Sequence, residues 1–134
     1  MVLRDRSTAY VLDASAYLAM LHGEMGGDLV ELILEHCIMS TVNWAEVVQK
    51  AMEKGAPVEG MRQEVQALGL EIISFTPEDA ERAASLREPT RSAGLSLGDR
   101  ACLALAQRRS IPTLTADRAW GRLELPDIEV QMLR

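Results

Sequence analysis

Two short apolar runs in this 134-residue chain each lead into an aspartate, and that pairing narrows the fold more than any other feature. Residues 8–12 (TAYVL) run into Asp13, and residues 111–115 (IPTLT) run through Ala116 into Asp117. Both runs are apolar without alternation, as strands buried on both faces are, and helical spacing lies beside each. Further strand-like runs fall at residues 37–39, 70–75 and 129–133, the last as an edge. Helical patterns fill residues 14–21, 28–36, 42–54, 57–68, 77–87 and 97–109. Strands alternating with helices predict an α/β fold, a three-layer sandwich whose central parallel sheet is flanked by helices. No internal repeat, low-complexity tract or linker interrupts residues 1–134, so a single domain is expected.

Helix starts are well marked. Thr76, Pro77 and Asp79 stand at the cap, first and third positions of one helix, and Ser96 and Asp99 repeat the capping box on residues 97–109. On that last helix Leu97, Ala101, Ala104 and Leu105 make an apolar face, and Ala101, Ala104 and Ala106 permit close approach to the sheet. Ser40 or Thr41 caps residues 42–54, where Val42, Ala45, Val48 and Met52 are expected to face the core. Glu46 falls on the adjoining shoulder with Asn43 and Lys50. Gly55 and Gly69 close helices, and residues 88–94 read as a mobile connector around Pro89.

Composition removes several classes. No apolar run approaches the roughly 20 residues that span a bilayer, and the acid-flanked N-terminus, with Asp5 and Asp13, is unlike a signal peptide, so a cytoplasmic protein with no membrane contact is expected. Cys37 and Cys102 sit in separate apolar segments and read as buried, reduced thiols. Two histidines, His22 and His36, and no cysteine cluster argue against zinc. The net charge of −6 is uneven: residues 82–122 hold eight arginines against three acids, two of which are Asp99 and Asp117.

Asp13, Glu46, Asp99 and Asp117 each have a sufficient local role. Asp13 can cap the helix after it, Glu46 can pair with Lys50 one turn on, Asp99 can complete the capping box, and Asp117 can cap residues 118–121. Their shared placement is the stronger fact. In a parallel sheet all four come to the carboxyl edge of the strands, where open α/β sheets bind ligands. Four ionised carboxylates within about 5 Å would repel by roughly 3 kcal/mol per pair at an effective dielectric of about 20, and the six pairs together by on the order of 20 kcal/mol, more than a domain's whole stability. A cation resolves the conflict, and an oxygen-only site points to Mg2+ or Mn2+. Such a site suits phosphodiester hydrolysis.

VLDASA at 11–16, NWAEV at 43–47, LSLGDRACLALA at 95–106 and PTLTADRAW at 112–120 resemble the PIN domain, and more narrowly the VapC-type toxins of bacterial toxin–antitoxin pairs. The resemblance covers nearly the whole chain in order and spacing. It implies a Mg2+- or Mn2+-dependent endoribonuclease acting on RNA, with Asp13, Glu46, Asp99 and Asp117 as metal-binding and catalytic acids. It also implies that hydroxyls at Ser15 and Thr115 orient those carboxylates, that the protein is a homodimer, and that a cognate antitoxin holds it inactive. Trp120 stands where the family often has Phe. Arg100, Arg118 and Arg122 are candidates for holding substrate phosphates. Two alternatives remain within the resemblance: an RNA-processing nuclease outside any toxin pair, and a non-catalytic interaction module. Phosphoryl-aspartate folds also place Asp after the first strand. Haloacid-dehalogenase-like enzymes want an acid where Ser15 stands, and receiver domains want a lysine after a later strand, where none follows Thr115.

Overall fold

Alternation along three residues splits the interior in two. The computed structural model describes residues 10–134, so Thr8 and Ala9 of the expected first strand, like Asp5, lie outside the described residues. Its strands are β1 (Tyr10–Leu12), β2 (Cys37–Ser40), β3 (Glu71–Ile73), β4 (Thr113–Thr115) and β5 (Val130–Met132), all parallel, in the order β3-β2-β1-β4-β5. The helices are α1 (Ala14–Leu21), α2 (Gly27–Ile33), α3 (Thr41–Glu53), α4 (Met61–Ala67), α5 (Pro77–Ser85), α6 (Arg87–Thr90) and α7 (Leu97–Arg109). Tyr10 and Leu12 enter one core with Met39, Leu114, Ala16, Val30, Ile33 and Val65, under α1, α2 and α4. Val11 and Ile38 enter the other with Ala83, Leu103, Leu105, Trp120 and Ile128, under α5 and α7. Both faces of the sheet are therefore covered, as the uniformly apolar strands require.

The expected three-layer α/β architecture holds, with local departures. Helix α3 turns a different face inward: Asn43, Val47 and Ala51 are buried, whereas Ala45 and Met52 are exposed. Asn43 reads as a surface residue by polarity, but its amide finds buried partners and brings the helix round. Helix α4 starts only at Met61, because Gly60 takes the left-handed φ of 81° at its cap. Residues 88–94 are not a bare connector. They continue α6 and a turn of 3-10 helix, where the Thr90 hydroxyl donates to the Leu86 carbonyl. Pro89 is no barrier there, since the first turn of a helix needs no amide donor. Leu97 is 57% exposed, outside the apolar face expected of it, while every residue of α7 from Ala101 to Ala106 is buried.

The chain leaves β1 toward β2 and β3, then crosses back to β4 on the other side. The reversal opens a crevice between the carboxyl ends of β1 and β4. Helix α7 runs antiparallel to the strands and delivers its first turn to the same edge.

Candidate functional site

Asp13 is the first residue past β1 and only 3% exposed. As the N-cap of α1 it accepts from the Ala16 amide at 2.9 Å. Both carboxylate oxygens accept from the Ser15 hydroxyl at 2.8 Å, and Oδ2 accepts from the Thr115 hydroxyl at 2.5 Å. Those hydroxyls are themselves fixed from β4: the Ala116 amide donates to Ser15 Oγ at 2.9 Å, and the Asp117 amide donates to Thr115 Oγ1 at 3.0 Å. The carboxylate is thus clasped between the ends of two adjacent strands. Burial pushes its pKa up to about 6 against the opposing effect of these hydrogen bonds, and the charge of Asp99 pushes the same way as burial.

Asp99 occupies the third position of α7. The Ser96 amide donates to its Oδ2 at 2.9 Å, and its own amide donates to Ser96 Oγ at 3.1 Å. Asp117 caps the 3-10 turn Arg118–Arg122 by accepting from the Ala119 amide. Glu46 extends from α3. Burial raises its pKa and so does Asp99, while the hydrogen bond from Asn43 and the charge of Lys50 oppose the shift. The three capping roles expected of Asp13, Asp99 and Asp117 exist, whereas the expected Glu46–Lys50 ion pair is absent among the described residues. The same four acids also line one cleft of about 180 Å3 together with Ser15, Leu18 and Lys50.

The molecule holds its own comparison. Asp79 is also the third residue of a capping box, on α5, and is 1% exposed. Arg108 grips it with two hydrogen bonds, at 2.7 and 3.0 Å. Burial alone would raise the Asp79 pKa, but Arg108 and the helix cap hold it below the usual carboxylate range. No such cation pairs with Asp13 or Asp99 among the described residues. The buried carboxylate of Asp79 is answered by an arginine, and the buried carboxylate of Asp13 by hydroxyl and amide donors alone.

The donor set is entirely oxygen, which fits a hard divalent cation such as Mg2+ or Mn2+. Among the described residues no three acidic, histidine or cysteine side chains come together closely enough to hold a metal ion between them. An open arrangement suits an ion that keeps several waters and takes one or two carboxylates. Arg100 is not part of it: its guanidinium turns to α5 and donates to the Ala83 carbonyl at 2.8 Å, with Nε buried and unpartnered. Arg118 and Arg122 are exposed, at the two ends of the 3-10 turn that Asp117 caps. The basic stretch is further divided because Arg108 serves Asp79 and Arg91 pairs with Glu88. Lys50 is the basic residue lining the cleft, and sequence reasoning used it only as a partner for Glu46. Cys37 and Cys102 are free and buried; burial pushes the Cys37 thiol up to about 12, and Cys102 well above its ordinary value.

An all-parallel sheet covered on both faces, with acids gathered at the point where its strand order reverses, defines an α/β protein with an oxygen-lined cleft. Residues 10–125 match the PIN domain model, and the chain belongs to that family. No curated protein matches it significantly. Its fold is similar to a chain of a toxin–antitoxin complex from Klebsiella pneumoniae, with a TM-score of 0.71 at 20% identity over 94% of this chain and 98% of that one. A DNA-bound VapBC from Salmonella typhimurium gives 0.71 at 16% identity, covering 95% and 99%. A VapBC family member from Mycobacterium tuberculosis gives 0.57 at 22% identity, covering 93% and 97%. Among the described residues no helix is long and apolar enough to cross a membrane.

Proposed function

We propose that this chain is a Mg2+- or Mn2+-dependent endoribonuclease, a single PIN domain acting as the toxin of a type II toxin–antitoxin pair. The observation that carries the reading is Asp13: a buried carboxylate, clasped by two hydroxyls, without a cation partner, in a cleft shared with Glu46, Asp99 and Asp117. Asp13 and Asp99 are the principal metal ligands, Glu46 and Asp117 complete the set or hold the attacking water, and Ser15 and Thr115 orient Asp13. A bound Mg2+ or Mn2+ supplies Lewis-acid stabilisation of charge developing on the phosphate oxygens. Water adds to phosphorus as the bond to the leaving oxygen breaks. Glu46, whose pKa is raised, is suited to accept the water's proton. Lys50 lines the cleft, and Lys50 with the exposed Arg118 and Arg122 of the turn that Asp117 caps would meet RNA phosphates, which offsets the repulsion between substrate and cleft.

The toxin assignment draws on the similar folds seen in toxin–antitoxin and VapBC complexes. With that reading go a cytoplasmic location, a homodimer and an antitoxin that covers the cleft, all of them part of the proposal. Purified, antitoxin-free protein is expected to cleave RNA when Mg2+ or Mn2+ is added, and to stop when the metal is chelated. Asp13→Asn or Asp99→Asn cleaving as fast as wild type would sink the assignment. Co-expression with the product of an adjacent small reading frame should suppress cleavage; failure to do so favours RNA processing outside a toxin pair.

A further inference from the structure

Glu46 reaches the cleft from the first turns of a helix, on a flexible side chain that no strand end clasps. Two uncharged residues determine where its carboxylate lies. Asn43, fully buried one turn earlier on α3, donates from Nδ2 to Glu46 Oε1 and to the Gly98 carbonyl, both at 2.9 Å. Its Oδ1 is buried with no hydrogen-bond partner, a desolvation cost that an apolar side chain would avoid. Gly98 forms the opposite wall. A Cβ there would stand 2.7–2.8 Å from Cδ and both oxygens of the Glu46 carboxylate. Gly98 is the second residue of α7 and its φ is not in the left-handed region, so its backbone makes no demand for glycine. Alanine would be the better helix former. What glycine provides is room.

We propose that Asn43 and Gly98 are positioning residues: the Asn43 amide draws the Glu46 carboxylate onto the bare first turn of α7, and the missing Cβ of Gly98 receives it, setting Glu46 beside Asp99 to share a divalent cation. The cation rests on the metal-site reading above, whereas the placement of Glu46 rests on geometry alone. The atoms that a Gly98 Cβ would strike are the far end of a flexible side chain. Gly98→Ala is therefore relieved by swinging Glu46 aside, with both helices left in place.

The test measures thermal unfolding of the metal-free full chain and Mn2+ binding by calorimetry. The set is wild type, Gly98→Ala, Asn43→Ala, Glu46→Ala and the Gly98→Ala/Glu46→Ala double variant. With Glu46 truncated, Gly98→Ala should raise Tm by about 2–3 °C through helix propensity alone. In the wild-type background the gain should vanish or reverse, a non-additivity that assigns the effect to this pair. Gly98→Ala and Asn43→Ala should each weaken Mn2+ binding about tenfold or more. Gly98→Ala should weaken it no further once Glu46 is gone. Equal stabilisation by Gly98→Ala in both backgrounds overturns the placement. Wild-type Mn2+ affinity in both single variants overturns the link to the cation while leaving the metal site standing. If wild type itself binds no Mn2+ at millimolar concentration, the metal reading falls and the unfolding cycle still decides the placement.

Discussion

Asp13→Asn keeps the shape of the buried side chain and removes its charge, and the metal-free protein is expected to become more stable at neutral pH as a result. Burial raises the Asp13 pKa from 3.8 to about 6. Native protein therefore binds a proton at this site more tightly than unfolded chain does, and wild-type stability falls as pH rises through that window. Above it the deficit is about 3 kcal/mol, at roughly 1.4 kcal/mol per pH unit of displacement. Asparagine does not titrate and escapes the deficit. It caps a helix as well as aspartate does, so the Ala16 contact survives. Its amide nitrogen must face Ser15 or Thr115 in place of an accepting oxygen, which costs about 1 kcal/mol. The net gain is about 1–2 kcal/mol above pH 6.5, or roughly 3–7 °C in Tm. It should shrink, then change sign, as the pH falls to about 4. Urea unfolding of both proteins in a chelator at pH 7.5 and pH 4 measures this. A stability difference that does not change between the two pH values would refute the reasoning, whichever protein is the more stable.

Three further outcomes follow from the same contacts. Thr115→Val is nearly isosteric but removes a donor to Asp13 and leaves the Asp117 amide without its acceptor; it should cost about 1–3 kcal/mol in urea unfolding. Arg108→Ala strands the buried Asp79 and should destabilise by about 2–3 kcal/mol at pH 7. Because the Asp79 pKa is lowered, that loss should be full above the unfolded carboxylate's pKa and fade in acid as pH falls through the folded value. Gly27→Ala contrasts with Gly98→Ala, since its Cβ would lie 2.3 Å from the Ala19 carbonyl oxygen and 2.8 Å from Met20 Cα. Backbone cannot swing aside, so α1 and α2 must part, at about 1–3 kcal/mol or more by thermal unfolding.

The fold class was legible because strands buried on both faces have a distinctive composition, and α7 was legible to the residue because Ser96, Asp99 and the closing arginines mark its ends. That Asp13, Glu46, Asp99 and Asp117 come to one cleft was legible because topology sends helix starts and strand ends to one edge. Less legible were features that depend on a neighbour distant in sequence. Asn43 reads as polar surface until Gly98, 55 residues away, supplies its acceptor. Arg100 reads as a free cation until the Ala83 carbonyl claims it. Periodicity set the face of α3 from apolar residues alone and so assigned Ala45 and Met52 to a core they do not reach. Residues 88–94 read as a connector because the place of Pro89 in a first turn is visible only once α6 is seen.

The clasp on Asp13 also bears on how the cleft comes apart when the chain is cut. Thr115 reaches Asp13 across 102 positions of sequence, and the acids come from four separate stretches of the chain. A protease that releases the segment carrying β4 and β5 removes Asp117 and the Thr115 hydroxyl in one cut, and exposes the edge of β1. The N-terminal fragment keeps Asp13, Glu46 and Asp99 but loses the β4 side of the cleft that positions Asp13. A single cut before β4 should therefore leave three of the acids without the hydroxyl and amide contacts that fix the geometry of the fourth strand end.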